Sequence, residues 1–203
     1  MNERDSYRTI KKPVSGEIKI QKSKFISNAF PLDSQLKFQE ILDNVRKQYH
    51  DAAHHPFAYR LGLTEDNFRY SDDGEPNGSA GKPILDLIDK YELTDIVIIT
   101  ARYFGGVKLG VGGLRRAFFD SAEECLKEAE IIDRFIEENF TIESEYNQLN
   151  VIMNMLEREG VKVIENQSGE KVKLNCSIRK SKFDKLKSEL VDSTSGNIII
   201  KSE

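Results

Sequence analysis

Two stretches of this chain combine residue types and spacings that suit chemistry. The first reads Ser71-Asp72-Asp73-Gly74-Glu75-Pro76-Asn77-Gly78-Ser79-Ala80-Gly81, three carboxylates among three glycines just ahead of a helical pattern. Clustered carboxylate oxygens suit a hard cation, and acids held close together can supply general acid and base. The same residues are ordinary turn formers, because Asp bonds nearby backbone and Gly admits positive φ. The ligand ladder of an EF-hand is missing, so a structural turn is the expected reading and no metal is expected.

The second stretch runs from Arg102 to Arg116 through Tyr103-Phe104-Gly105-Gly106-Val107-Lys108-Leu109-Gly110-Val111-Gly112-Gly113-Leu114-Arg115, with four cations, five glycines and no acid. A glycine-rich connection that opens a helix exposes backbone N–H groups and favours anions. Arg102, Lys108, Arg115 and Arg116 can add charge-assisted bonds to phosphate, around the backbone of Gly112 and Gly113. Tyr103 and Phe104 can stack on bases if exposed, or pack in the core. Nucleotide fingerprints do not fit: G-x-x-x-x-G-K-S/T is absent, and Gly110-x-Gly112 meets Arg115 where a third glycine belongs. The two loops could also pair with each other and leave neither free.

All three histidines, His50, His54 and His55, lie close together. The last two are adjacent and point to opposite sides of an extended segment. No cysteine is near enough in sequence to complete a zinc set, so a hydrogen-bonding role is expected. An enzymatic alternative uses His54 as proton carrier with Asp72, Asp73 and Glu75. Cys125 lies on the apolar face of a helical pattern and reads as an inert core thiol. No cofactor is expected.

These residues must be positioned by an α/β scaffold. Ile96-Val97-Ile98-Ile99 is a continuous apolar run, typical of a strand buried on both faces, just before the basic loop. Asp33 or Ser34 can cap a helix to about Tyr49 that aligns Phe38, Ile41, Leu42, Val45 and Tyr49. Strands are expected within Glu17–Phe30 and over Phe57–Leu63. Gly81-Lys82-Pro83 opens a helix to about Tyr91, and Leu114, Phe118, Cys125, Leu126 and Ala129 mark another. Beyond residue 137 the patterns alternate as strand, helix, hairpin, helix, strand: Phe140–Glu145, Asn147–Gly160, Val161–Ile164 with Val172–Cys176, Phe183–Leu190 and Ile198–Ile200. That order is the βαββαβ ferredoxin-like unit. Ten of the 13 glycines and all five prolines precede residue 135, which supports domains at 1–134 and 138–203.

Composition narrows the function. With 30 basic and 34 acidic residues the net charge is −4, which excludes a nucleic-acid binder acting through bulk positive charge. The apolar runs are far short of the roughly 20 residues of a membrane helix, and Met1–Lys12 lacks the apolar centre of a signal peptide. Two distant cysteines suit a reducing compartment, so a cytoplasmic protein without membrane contact is expected.

The motifs resemble the YigZ/IMPACT family. The matching residues are Ser23-Lys24-Phe25; His54 with Ala58-Tyr59-Arg60; Asp72 to Pro76 with Gly78; Ala80-Gly81-Lys82-Pro83; and Arg102 to Gly106 through Leu109-Gly110 to Gly112-Gly113-Leu114 and Arg116-Ala117. The resemblance covers about residues 1–134, and the tail is similar to the ferredoxin-like domain that follows in bacterial members. It implies an N-terminal α/β domain of the ribosomal-protein and elongation-factor type and no catalytic reaction. Eukaryotic members are linked to translational control through a stress-kinase circuit, which does not carry over to bacterial members. Asn77 and Ser79 depart from the usual Ser and Thr, and Arg115 replaces an apolar residue, adding a cation. The expectation is a non-enzymatic, translation-associated regulator that binds RNA, the ribosome or a translation factor. The alternative is a hydrolase or phosphate-processing enzyme.

Overall fold

The apolar run at residues 96–99 is the centre of the first half of the molecule. The computed structural model describes residues 5–64 and 66–202, and these divide into two compact units: 7–134, and 135–202 together with 5–6. The expectation for Met1–Lys12 falls partly outside the described residues.

In the first unit, β1 (Ser6–Ile10), β2 (Val14–Ile20), β3 (Ser23–Pro31), α1 (Gln35–Gln48), β4 (Phe57–Arg60), β5 (Phe68–Ser71), α2 (Gly81–Lys90), β6 (Ile96–Tyr103), α3 (Gly110–Lys127) and β7 (Ile131–Phe135) follow in order. Strands β2-β3-β6-β4-β5 form one sheet, and each neighbouring pair is antiparallel. Strands β1 and β7 pair separately. Side chains alternate across a strand, so β6 feeds two cores. Ile96 and Ile98 join Ile84, Ile88 and Phe118 of α2 and α3. Val97 and Ile99 join Phe38, Ile41, Leu42 and Val45 of α1. All four β6 residues are fully buried, and each such side chain contributes about 1.5–3 kcal/mol of transfer free energy.

The cap of α1 is Ser34, whose Oγ accepts from the Lys37 amide at 3.3 Å. Three elements have no counterpart in the sequence reading: β1, β5 and β7. The first residues of β5, Phe68, Arg69 and Tyr70, are exposed, so no alternation marks that edge strand. Helix α3 begins at Gly110, four residues before the apolar pattern starts at Leu114. The last glycines of the basic loop are thus the first turn of a helix.

In the second unit, β8 (Glu137–Ser144), a 3-10 turn at Tyr146–Gln148, α4 (Leu149–Glu159), β9 (Lys162–Asn166), β10 (Val172–Arg179), α5 (Lys180–Ser193) and β11 (Ile198–Ser202) build the ferredoxin-like unit. The sheet order is β11-β8-β10-β9, antiparallel throughout. Gly160 ends α4 at φ 73°, the left-handed stop that its sequence position implied. Phe140, Ile142, Leu174 and Cys176 pack beneath Ile152, Leu156, Phe183 and Leu186. Asp5 belongs to this unit: Arg179 donates from Nε and Nη2 to its carboxylate at 2.5 and 2.7 Å. That guanidinium lies 3.9 Å from the Phe135 ring centroid and holds the Asp5 carboxyl well below the usual carboxylate range.

Candidate anion-binding site

The end of β6 delivers Arg102 and Tyr103 to opposite sides of the sheet. On one side the Tyr103 hydroxyl donates to Asp51 Oδ1 at 2.7 Å. Desolvation and that bond push its pKa up to about 12, while the same bond lowers that of Asp51. On the other side Arg102 enters the interior. It is 7% exposed, and its Cζ lies 5.6 Å from the ring centroids of both Phe25 and Phe104. Its Nη1 donates to both oxygens of Glu75, at 2.6 and 2.7 Å. Its Nε is buried without a partner.

The acidic loop is built around its own backbone. Asp72 accepts three amides, Gly78 N at 2.8 Å and Ala80 N and Gly81 N at 2.9 Å, which pins the loop to the start of α2. Asp73 accepts from Arg46 Nη2 and from the His55 amide, both at 2.8 Å. His55 is buried and donates through Nε2 to the Tyr49 carbonyl at 3.0 Å, and His50 is exposed. His54 differs. Its Nδ1 lies 2.7 Å from the Asp73 carbonyl oxygen. A carbonyl only accepts, so Nδ1 carries the proton and neutral His54 keeps a lone pair on Nε2. Gly74 packs against that ring at φ +91°, where a Cβ would come within 2.8 Å of His54 Cε1 and Nδ1. Backbone bonds Arg102 N→His54 O (3.1 Å) and Ala53 N→Arg102 O (3.2 Å) lock this segment to the end of β6.

The two loops meet at one cavity of about 560 Å³. His54, Glu75, Arg102 and Lys108 supply its polar groups. Pro76, Phe104, Leu109, Val111 and Leu114 supply apolar wall, completed by Ala53 and Gly110. Helix α3 starts here with Leu109 at its N-cap, no side-chain cap and no acid in its first turn. Its leading amides therefore have no side-chain acceptor, and the positive end of the helix dipole meets the cavity. The Arg102 and Glu75 charges cancel, and Lys108 has no ion pair among the described residues.

The other expected anion-binding residues sit elsewhere. Gly112 and Gly113 are exposed on the first turn of α3, and nothing lies within 4 Å of a Cβ placed on Gly112. Arg115 Nη1 donates to the Gly78 carbonyl at 2.8 Å. Arg116 is solvent-exposed beside Asp120 at 3.6 Å. The loops thus pair in part, through Arg102 with Glu75 and Arg115 with Gly78. Leu109, Val111, Leu114 and Pro76 were not foreseen as wall residues; their one signal was apolar side chains set among glycines. Phe104, one of two candidate stackers, is 54% exposed at the cavity, whereas Tyr103 is turned to Asp51. Among the described residues no three His, Cys, Asp or Glu side chains are grouped to hold a metal ion, and no helix is long and apolar enough to cross a membrane.

The second unit's open sheet face is different in character. Thr141 bonds Asn175, Lys201 faces Glu143, and Ser177 bonds Glu137. The face is mostly polar, with exposed Ile199 opposite Glu143, and its outward positions on β8, β10 and β11 include no aromatic residue.

Fold and site define a two-unit α/β protein with a cationic, apolar-walled cavity in its first unit. Residues 21–126 match the model of the Impact N-terminal domain, and residues 142–197 match a domain of unknown function, DUF1949. The chain is 32% identical over 196 residues to IMPACT family member YvyE of Bacillus subtilis, covering 97% of this chain and 90% of that one. It is 30% identical to IMPACT family member YigZ of Escherichia coli, covering 92% of each. A crystal structure of a hypothetical protein, 28% identical, superposes with a TM-score of 0.75 over 98% of this chain and 97% of that one. The chain belongs to the IMPACT family.

Proposed function

We propose that this chain is a non-catalytic, translation-associated regulator that binds RNA, free or within the ribosome, through the cavity of its first unit. One observation carries the reading. Lys108, the buried Arg102 with its unpartnered Nε and the uncapped start of α3 converge on one cavity. Backbone amides at a helix start and a nearby cation are the usual receptors of phosphate. The family resemblance, which links eukaryotic members to translational control, supplies the translational setting. A cytoplasmic location agrees with two free, buried cysteines.

The rival hydrolase reading needs Asp72, Asp73 and Glu75 as free acids or bases. Each is held instead: Asp72 by three amides, Asp73 by Arg46 and His55, Glu75 by Arg102. Of the four residues in that reading, His54 alone has a side-chain polar atom, Nε2, with no hydrogen bond among the described residues. The test is RNA binding across a salt titration for wild type, Lys108→Glu and Arg116→Glu. The expected result is about tenfold weaker binding for Lys108→Glu, with the slope of log K against log salt reduced by about one. Unchanged binding in both variants overturns the proposal.

A further inference from the structure

We infer that the cavity takes a single terminal nucleotide of an RNA, held by its phosphomonoester, rather than a run of internal backbone. This deepens the RNA-binding reading above and rests on it.

The distribution of charge suits one phosphate. A groove that tracks a nucleic-acid backbone needs a row of cations matched to successive phosphates. Here Arg102 is neutralised by Glu75, Arg115 is turned to Gly78 and Asp86, and Arg116 has Asp120 one turn ahead. Lys108 is the uncommitted cation at the cavity, and the uncapped α3 start adds about half a positive charge. That set matches one phosphate. A monoester carries about −1.5 to −2 charges at neutral pH and has one covalent link leaving it. An internal diester carries a single charge and must leave the pocket in two directions.

A buried donor points the same way independently. Arg102 is more than nine-tenths buried and lines the cavity, yet its Nε has no partner. Nη1 is engaged by both Glu75 oxygens. An unsatisfied guanidinium nitrogen in such a place is costly, and an oxyanion seated against this guanidinium offsets that cost.

The shape of the cavity agrees. A volume of about 560 Å³ lies within the range of roughly 300–1,000 Å³ typical of sites for one small ligand. Phe104, half exposed at the cavity, offers a face for a base. His54 Nε2, fixed as an acceptor by the Nδ1 bond, suits a ribose hydroxyl. Val111, half exposed in the first turn of α3, lines the cavity beside those leading amides.

The experiment measures anisotropy of labelled single-stranded RNA octamers on the full chain. The octamers differ only in carrying a 5′-phosphate, a 3′-phosphate or hydroxyls at both ends. A nucleoside monophosphate serves as competitor, and wild type is compared with Val111→Asp, Phe104→Ala and Lys108→Glu. The expected result is binding at least tenfold tighter for one phosphorylated end than for the hydroxyl octamer, with competition by the monophosphate. Val111→Asp, an exposed cavity position in the first turn of α3, should erase that preference while its unfolding midpoint holds or rises. Phe104→Ala should weaken binding of the same end. Equal affinity for all three octamers, still weakened by Lys108→Glu, overturns this inference and leaves RNA binding standing. A phosphate preference that survives in a folded Val111→Asp also overturns it. Binding of the monophosphate without any octamer overturns the RNA reading as well, and so does no binding at all.

Discussion

Arg102 and Glu75, 27 residues apart in sequence, form an ion pair in which one guanidinium nitrogen meets both carboxylate oxygens and both side chains are at least nine-tenths buried. The pair ties the acidic loop to the end of β6 and so shapes the cavity. Removing one partner of such a pair leaves an uncompensated charge in a poorly solvated place. Glu75→Gln should therefore destabilise the first unit by about 3–5 kcal/mol, and the double variant Arg102→Met, Glu75→Leu should recover much of that. Denaturant unfolding of the singles and the double checks this. A loss below about 1 kcal/mol for Glu75→Gln would mean that the pair behaves as a solvated one.

Asp72 is the organiser of the acidic loop, with three backbone amides on its two oxygens. Asp72→Ala orphans all three and should cost about 2–4 kcal/mol, with Asp72→Asn intermediate. Hydrogen exchange at Gly78, Ala80 and Gly81 should quicken in the alanine variant while α1 stays protected. Wild-type protection at those amides would show that the carboxylate does not hold them.

Ile98 is fully buried at the centre of the sheet, among the residues of α2 and α3. Ile98→Ala should cost about 2–5 kcal/mol, spread by how far the core collapses. Its unfolding midpoint in urea checks the value. A cost under about 1 kcal/mol would contradict the two-sided burial of β6.

How much of this was legible in sequence depends on whether a feature repeats along the chain. Helix α1 was legible because Phe38, Ile41, Leu42 and Val45 recur at helical spacing behind Ser34. The second unit was legible because each of its elements carries its own period. Strands β1, β5 and β7 were not, since each is held by its partner strand and shows little alternation. The α3 boundary was missed because Gly110, Gly112 and Gly113 are poor helix formers, and packing of Leu114 and Ala117 starts the helix regardless. At the site, loop composition pointed to opposite charges, and Lys108 is where a phosphate ligand would be placed. That Arg102 lies inside, paired with Glu75, is a contact between distant segments that no local pattern encodes.

Tyr103 and Asp51 predict a pH dependence. The pKa of Tyr103 is raised to about 12 by desolvation and by its bond to Asp51. A group whose folded pKa lies above its unfolded value, here 10.0, stabilises the fold fully below pH 10. That contribution is lost as the pH climbs toward 12. The Asp51 pKa is lowered by the same bond, so its contribution is present above the ordinary Asp range and fades as the pH falls through that range. Spectrophotometric titration of the phenols should show a late-ionising group that Tyr103→Phe removes. Identical titration curves for wild type and variant would refute this.

The central claim is that RNA meets the first unit at the start of α3. The direct measurement is amide chemical-shift mapping of the full chain titrated with a phosphorylated RNA octamer at low salt. The account predicts shifts concentrated at Lys108, Gly110, Gly112, Gly113 and the His54 segment, with little change on the open sheet face of the second unit. Shifts gathered on that sheet face, with the α3 start unmoved, would contradict it.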